Sequence, residues 1–339
     1  MNAPPVIPPP TENPALVRVF KDAPYIAPED LREEPVVEQR GRYGPFNWLV
    51  LAAQTAAWAG LLTAIDVVTS WWSKAGLLLV FCLMMQGVFS LMHEAFHYNA
   101  HHTRRWNDLM GRLASILFVT SFTLHRIQHW GHHVRNRSVP EAGDFIYEGE
   151  KAWPKVFLYY FAIVGGLYAF SLTLPAAALV IPYRAVKWLA WGSEFNTYRQ
   201  AFRQFRQQDW NAVRLEALSV AVFWSLIAWV GPWSLPTVLV AYAAFAFSWS
   251  SLQWVYHLRT PLHRTEGAYN LRLPTPVRWL FLNFNYNLTH HRRPDLPWQE
   301  IWRVSNHAET QPLWYRYVMQ VLPPVRLPDD LTYLERRYF

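Results

Sequence analysis

Charge is the first thing this chain has little of. Only 16% of its 339 residues are Asp, Glu, Lys or Arg, against about 25% in an ordinary soluble domain, which argues against a fully solvated surface. Cysteine is scarcer still. Cys82 is the only one, inside an apolar run, so an intrachain disulfide and a cysteine-ligated iron–sulfur cluster are both excluded. The start, MNAPPVIPPPTENP, lacks a short basic region followed by an apolar core, and no secretory leader is expected. Residues 1–40 are proline-rich, mixed in charge and without helical or strand period, which predicts a disordered arm ahead of one domain over 41–339.

Aromatic residues are abundant, at 17% with 19 tryptophans. Such rings suit the water–lipid boundary, where an apolar body and a polar N–H or O–H are both accommodated. Four apolar runs, 47–72, 75–92, 216–230 and 233–256, are close enough to the ~20 residues of a membrane-crossing helix to be read as spans. They pair into two hairpins, with turns at Ser73 and Lys74 and at Gly231 and Pro232. Gly111–Leu124 is too short to cross. The run 155–183, broken by Gly165, Gly166 and Pro175, is too short for two spans and is expected to be re-entrant or interface-lying. The predicted fold is an all-α integral membrane protein with about four transmembrane helices in two hairpins, interfacial or re-entrant helices, and a histidine-rich cap.

The net charge of +7 is unevenly spread. Arg184, Lys187, Arg199, Arg203, Arg206 and Arg214 cluster between the hairpins, the tail beyond Arg292 is basic, and the two hairpin turns hold only Lys74. By the positive-inside rule the histidine-bearing face and both termini are cytoplasmic. In a membrane protein such arginines suit anionic lipid or an acidic partner, and nucleic acid is not expected. Asp66, near the far end of the first span, reads as locally solvated.

Histidine carries the chemistry. Eight of the 13 fall in the stretch His93–His133, at His93, His97, His101, His102, His125, His129, His132 and His133. Neutral imidazole is the commonest protein metal ligand, and several can converge without the repulsion that carboxylates suffer. On helices, His93 and His97 share a face, and so do His129, His132 and His133. His257 ends the last span, and Asn287, His290 and His291 partly repeat the pattern. Solitary interfacial histidines would explain any one of these, but not the set. Glu94 and Asp144 are candidates to orient imidazoles through the second ring nitrogen.

HEAFH followed by Asn107, Asp108 and Gly111, FTLHRIQHWGHH, and NFNYNLTHHRRPDLPW together resemble the three boxes of the membrane fatty acid desaturase and hydroxylase superfamily, over roughly residues 42–305. The resemblance implies a non-haem di-iron centre using O2 as co-substrate, with His93, His97, His129, His132, His133, His257, His290 and His291 as both catalytic and iron-ligating residues. Where the third box normally begins with histidine this chain has Asn287, whose oxygen is a weaker ligand suited to binding through water. His125, or His101 and His102, are candidates to compensate. The resemblance also implies a lipid or fatty acyl substrate and a ferredoxin- or rubredoxin-like electron donor.

The expected activity is therefore O2-dependent oxidation of an aliphatic chain, foremost fatty acyl desaturation. Alternatives within the superfamily are lipid or carotenoid hydroxylation, and oxidative decarboxylation of a fatty acid to a terminal alkene. The last requires a basic anchor, for which Arg126, Arg292 and Arg293 are candidates. A lipid-binding relative silenced by Asn287 is a further alternative. From outside the superfamily, HEAFH also matches the HExxH pattern of zinc proteases through His93, Glu94 and His97.

Overall fold

Apolar residues repeated without interruption leave these segments no stable state in water, and helix is the conformation that satisfies their backbone in lipid. The computed structural model describes residues 41–137, 141–146, 150–190, 205–261, 263 and 265–326. The expected arm, both termini, Arg199 and Arg203 lie outside the described residues. The described residues are mostly helical, with only two-stranded pairings of short strands.

The first hairpin is α1 (Gly44–Val67) and α2 (Trp71–Phe96). Its turn falls at residues 68–70, earlier than expected. Ser70 is a good N-cap, so Trp71 to Lys74 become the first turn of α2 rather than the connection. Trp71 and Trp72 remain 79% and 88% exposed, as residues at a lipid interface should be. Next come α3 (Arg104–Phe118) and α4 (Phe122–Arg135). The apolar run Gly111–Leu124 is expected to form one interfacial or buried helix. Instead, Val119 takes a left-handed conformation (φ 62°) and ends α3, and the hydroxyl of Ser121 accepts from Leu124 N to start α4. At 15 and 14 residues, these helices reach only about 21–23 Å.

Beyond them lie α5 (Ala152–Ala178) and α6 (Tyr183–Ala190). The second hairpin, α7 (Gln207–Val230) and α8 (Leu235–His257), turns at Gly231 as expected. Among the described residues five helices, α1, α2, α5, α7 and α8, are long and apolar enough to cross a membrane. Within α5 a π-helical segment, Ala162–Gly166, contains Gly165 at φ 132°, a conformation that favours glycine. The amide of Tyr168, just beyond this segment, donates to Ser250 Oγ on α8 (3.0 Å).

At the far end the two hairpins are laced together. Asp66 Oδ1 accepts from Ser234 N (3.2 Å), Ser234 Oγ (2.6 Å) and Thr237 Oγ1 (2.6 Å), and Trp233 Nε1 donates to Thr63 Oγ1 (2.9 Å). Asp66 thus has specific partners at the N-terminus of α8, where a carboxylate is favoured. Between the ends, Phe81, Met85, Phe89, Phe118, Phe245 and Trp249 pack in one apolar core.

The near end is built from short pieces. Asn283 Nδ2 donates to Trp298 O, Asn285 Nδ2 to Leu271 O, and Asn270 bonds to both the amide and hydroxyl of Thr289. These amide side chains hold α10 (Asn287–Arg292), with α9 (Thr275–Leu280) before it and α11 (Trp298–Val304) after it. The last described helix, α12 (Leu313–Val321), is inverted: Arg316 and Gln320 are buried, whereas Trp314, Val318 and Val321 face outward.

One carboxylate fixes the histidine-bearing α4. Buried Glu216 of α7 accepts from Ser121 Oγ (2.5 Å), Thr123 N (2.8 Å), Thr123 Oγ1 (2.8 Å) and Arg112 Nε (3.1 Å). Its position at the N-terminus of α4 adds a favourable dipole interaction. Replacing it with alanine strands several donors, and Glu216→Ala is expected to lower stability by ~2–4 kcal/mol. Thermal unfolding in detergent measures this; an unchanged midpoint would contradict the role.

Candidate metal centre

Four segments deliver imidazoles to one place. His93 ends the apolar face of α2 and His97 is its C-cap, four residues on. His129, His132 and His133 project from α4, His257 is the last residue of α8, and His290 and His291 lie on α10. The result is two adjoining groups. His93, His97, His129, His133 and His290 form one, His132, His257 and His291 the other, with the nitrogens in each group within 4.8 Å of one another. The rings of His133 and His291, 4.6 Å apart between centroids, join the two. All eight histidines named from the family pattern are therefore brought together.

Their contacts do not satisfy one another. His97 Nε2 lies 2.7 Å from His129 Nε2, which lies 2.9 Å from His133 Nε2, which lies 2.9 Å from His290 Nε2. Each such nitrogen has either one hydrogen or one lone pair. At most two of these three contacts can be hydrogen bonds, and both nitrogens of His93 are buried without any partner. A shared cation removes the conflict, since every Nε2 can then present a lone pair to it. Two nitrogens at right angles about one ion, each about 2.1 Å away, are about 3.0 Å apart. The donor set therefore fits a first-row transition metal. Burial, followed by the neighbouring imidazoles, holds His129, His133, His290 and His291 well below the ordinary histidine pKa, so they are neutral.

The three-histidine group has oriented members. His257 Nδ1 is 2.8 Å from the carbonyl of Gly267, and His132 Nδ1 is 3.3 Å from Glu141 Oε2. Donation from Nδ1 leaves Nε2 as the metal-directed nitrogen. Neither Glu141 nor Gly267 was recognised in the sequence, because both lie on loops without a periodic signal. Gly267 is tightly enclosed: a Cβ would fall 2.3 Å from Arg137 Cγ and 2.5 Å from His263 O. The carboxylates nominated as orienting groups are used elsewhere. Glu94 accepts from Trp298 N (3.0 Å), tying the first histidine segment to α11. Asp144 is chelated by Arg137 (2.6 and 3.0 Å) and accepts from Arg259 N (2.6 Å). This buried ion pair closes the loop that carries Glu141.

The remaining candidates are not among the histidines of the two groups. His125, pushed down to about 4 by burial, stacks on Phe96 and meets Trp249 edge-on. Asn287 is buried at the start of α10, with its Oδ1 lacking a hydrogen-bond partner. His101 and His102 stack on each other away from the centre, and His101 Nδ1 accepts from Thr103 N.

A cavity of about 310 Å³ adjoins the histidines. His129, His132 and His257 line it beside apolar Phe89, Phe96, Leu167, Phe170, Leu174 and Trp249, with Gln128, Asn136, Glu141 and Lys155 as polar wall. Arg126, Arg292 and Arg293, the anchors considered for a substrate carboxylate, do not line it. Arg126 pairs with Asp108 and lies over Phe122, Arg292 binds Glu266 and Glu309, and Arg293 binds Asp295.

Residues 69–323 match the family model described as fatty acid desaturase. No curated protein matches the chain. The match begins after α1, runs from α2 through α12 and includes every histidine of the two groups, and the chain belongs to the fatty acid desaturase family.

Proposed function

We propose that this protein is a membrane di-iron oxidase that desaturates a fatty acyl chain with O2 and two electrons from a ferredoxin- or rubredoxin-like donor. The observation that carries this reading is the pair of imidazole groups facing a largely apolar cavity. The five-histidine and three-histidine groups would each hold one iron, and Asn287 would contribute through water. Bound iron would supply the activation of O2 that side-chain acid–base chemistry lacks. In balance, one –CH2–CH2– unit, O2, two electrons and two protons give –CH=CH– and two H2O.

The chain's own residues bind, orient and exclude water. Phe89, Phe96 and Trp249 pack the substrate alkyl chain, while Glu141 and the Gly267 carbonyl hold His132 and His257 in position. The electrons must arrive from outside, since the single cysteine is buried in α2. The zinc-protease alternative needs Glu94 to activate water at the metal, whereas Glu94 accepts from the Trp298 amide.

Four of the five apolar helices would cross fully, with α5 re-entrant. Measured from the far turn at about 1.5 Å per residue, Trp254 lies about 28 Å up α8, Ala246 about 16 Å, Ser250 about 22 Å, and Arg214 about 24 Å up α7. Tyr159 packs on Trp254, Gly165 approaches Ala246, Tyr168 bonds Ser250, and the carbonyls of Ala178 and Ile181 accept from Arg214. Along its length α5 therefore descends to mid-depth, bends at the π segment and climbs back. This supports both ends of α5 lying on the histidine-bearing face, which the basic residues assign to the cytoplasm. The outward Trp314, Val318 and Val321 of α12 would rest in the same interface.

Two experiments test this reading. In a Cys82→Ser background, single cysteines at Lys151 and Ile181 are expected to label from the side opposite a cysteine at Trp72; labelling of Lys151 and Ile181 from opposite sides would make α5 a fifth span. Expressed with a matching ferredoxin and reductase, the wild-type chain is expected to give unsaturated acyl products by lipid mass spectrometry. His132→Ala should abolish them and lower bound iron, and full activity in that variant would remove His132 from the centre.

A further inference from the structure

His125, Trp249, Gln253 and Trp254 all line the cavity beside the histidine groups. One nitrogen of each is buried without a hydrogen-bond partner: His125 Nε2, Trp249 Nε1, Gln253 Nε2 and Trp254 Nε1. An indole N–H and an amide NH2 can only donate, and buried donors in folded proteins nearly always meet an acceptor. Several unmatched donors around one cavity indicate that its occupant brings the acceptor. A hydrocarbon chain fills apolar space but offers none.

Their placement relative to the centre matters. Gln253 precedes His257 by one helical turn on α8, Trp254 precedes it by three residues, and His125 precedes His129 by one turn on α4. One turn is about 5.4 Å, and His129, His132 and His257 line the same cavity. The donors therefore stand one to two helical turns from histidines that line the same cavity. Lys155 also lines the cavity but is paired with Glu150 (2.9 Å), so the unmatched donors are uncharged groups suited to a carbonyl as well as to a carboxylate.

We propose that this wall binds the acyl oxygen of the substrate, a free carboxylate or an ester carbonyl, so that the carbons attacked are those within a few bonds of it. The proposal rests on the oxidase reading of the histidine groups, and it makes the oxygen-bearing end of the molecule the point from which position is measured. The alkyl tail then runs outward past Leu174 and the lipid-facing Leu158 of α5.

Binding is measured directly on the full chain in nanodiscs with radiolabelled dodecanoic acid, methyl dodecanoate and dodecane, which needs no turnover. The acid, the ester or both are expected to bind at least tenfold more tightly than the alkane. Preference for the acid alone identifies a carboxylate, for the ester alone a carbonyl, and for both their shared oxygen. Gln253→Leu and Trp254→Phe are each expected to weaken the oxygen-bearing ligand about tenfold while leaving dodecane binding and iron content unchanged. Equal affinity for dodecane, or wild-type affinity in both variants, overturns the proposal. In turnover, the modified carbon should keep a fixed distance from the oxygen-bearing end when dodecanoate is exchanged for hexadecanoate; a position fixed from the methyl end overturns it as well. If the chain binds no iron and forms no product while the binding preference persists, the oxidase reading fails and the acyl-oxygen site stands.

Discussion

Eight imidazoles pressed together in two adjoining groups form an arrangement that cannot be stable by itself. Most have lost water as a partner, and the short Nε2 contacts cannot all be hydrogen bonds. The rest of the molecule exists to hold this frustrated set in place. Converging lone pairs are a liability in an empty core and an advantage around a cation, which is why the donor set argues for metal more strongly than any one histidine box does.

The holding is distributed over structures with little in common. At the far end, Asp66 and Trp233 lace the hairpins, so that α2 and α8 rise together and deliver His93, His97 and His257 at matched height. At mid-depth the contacts are aromatic, with Trp249 packed edge to face against both Phe89 and Phe118. Near the centre they become polar and buried: Glu216 seats α4, Arg137 and Asp144 close the loop of Glu141, and the asparagines of the NFNYN segment seat α10. Such buried charges add little net stability when intact, yet are costly to break, so they favour one arrangement over its competitors.

Much of this was legible in the residues, and the reasons are periodic. Spacings of three and four put His129, His132 and His133 on one side of a helix, and long apolar runs marked the hairpins. Non-periodic features were lost. The break at Val119 depends on a left-handed residue with no compositional cue, and the first turn moved because Ser70 out-competed Ser73 and Lys74 as its boundary. Glu141 and Gly267 sit on loops whose approach to His132 and His257 is decided by tertiary contacts. Conversely, Glu94 and Asp144 lie close to the histidines in sequence, yet a backbone amide and an arginine claim them. The third-box departure at Asn287 was visible at once; its buried, unpartnered oxygen is what the fold adds.

What the two imidazole groups bind decides the chemistry of the whole molecule. Metal analysis of the purified chain, with Mössbauer spectroscopy of 57Fe-grown protein, addresses it most directly. About two irons per chain are expected, in nitrogen-rich, non-haem sites, both lost when the histidines are replaced. A single zinc with no iron would contradict it.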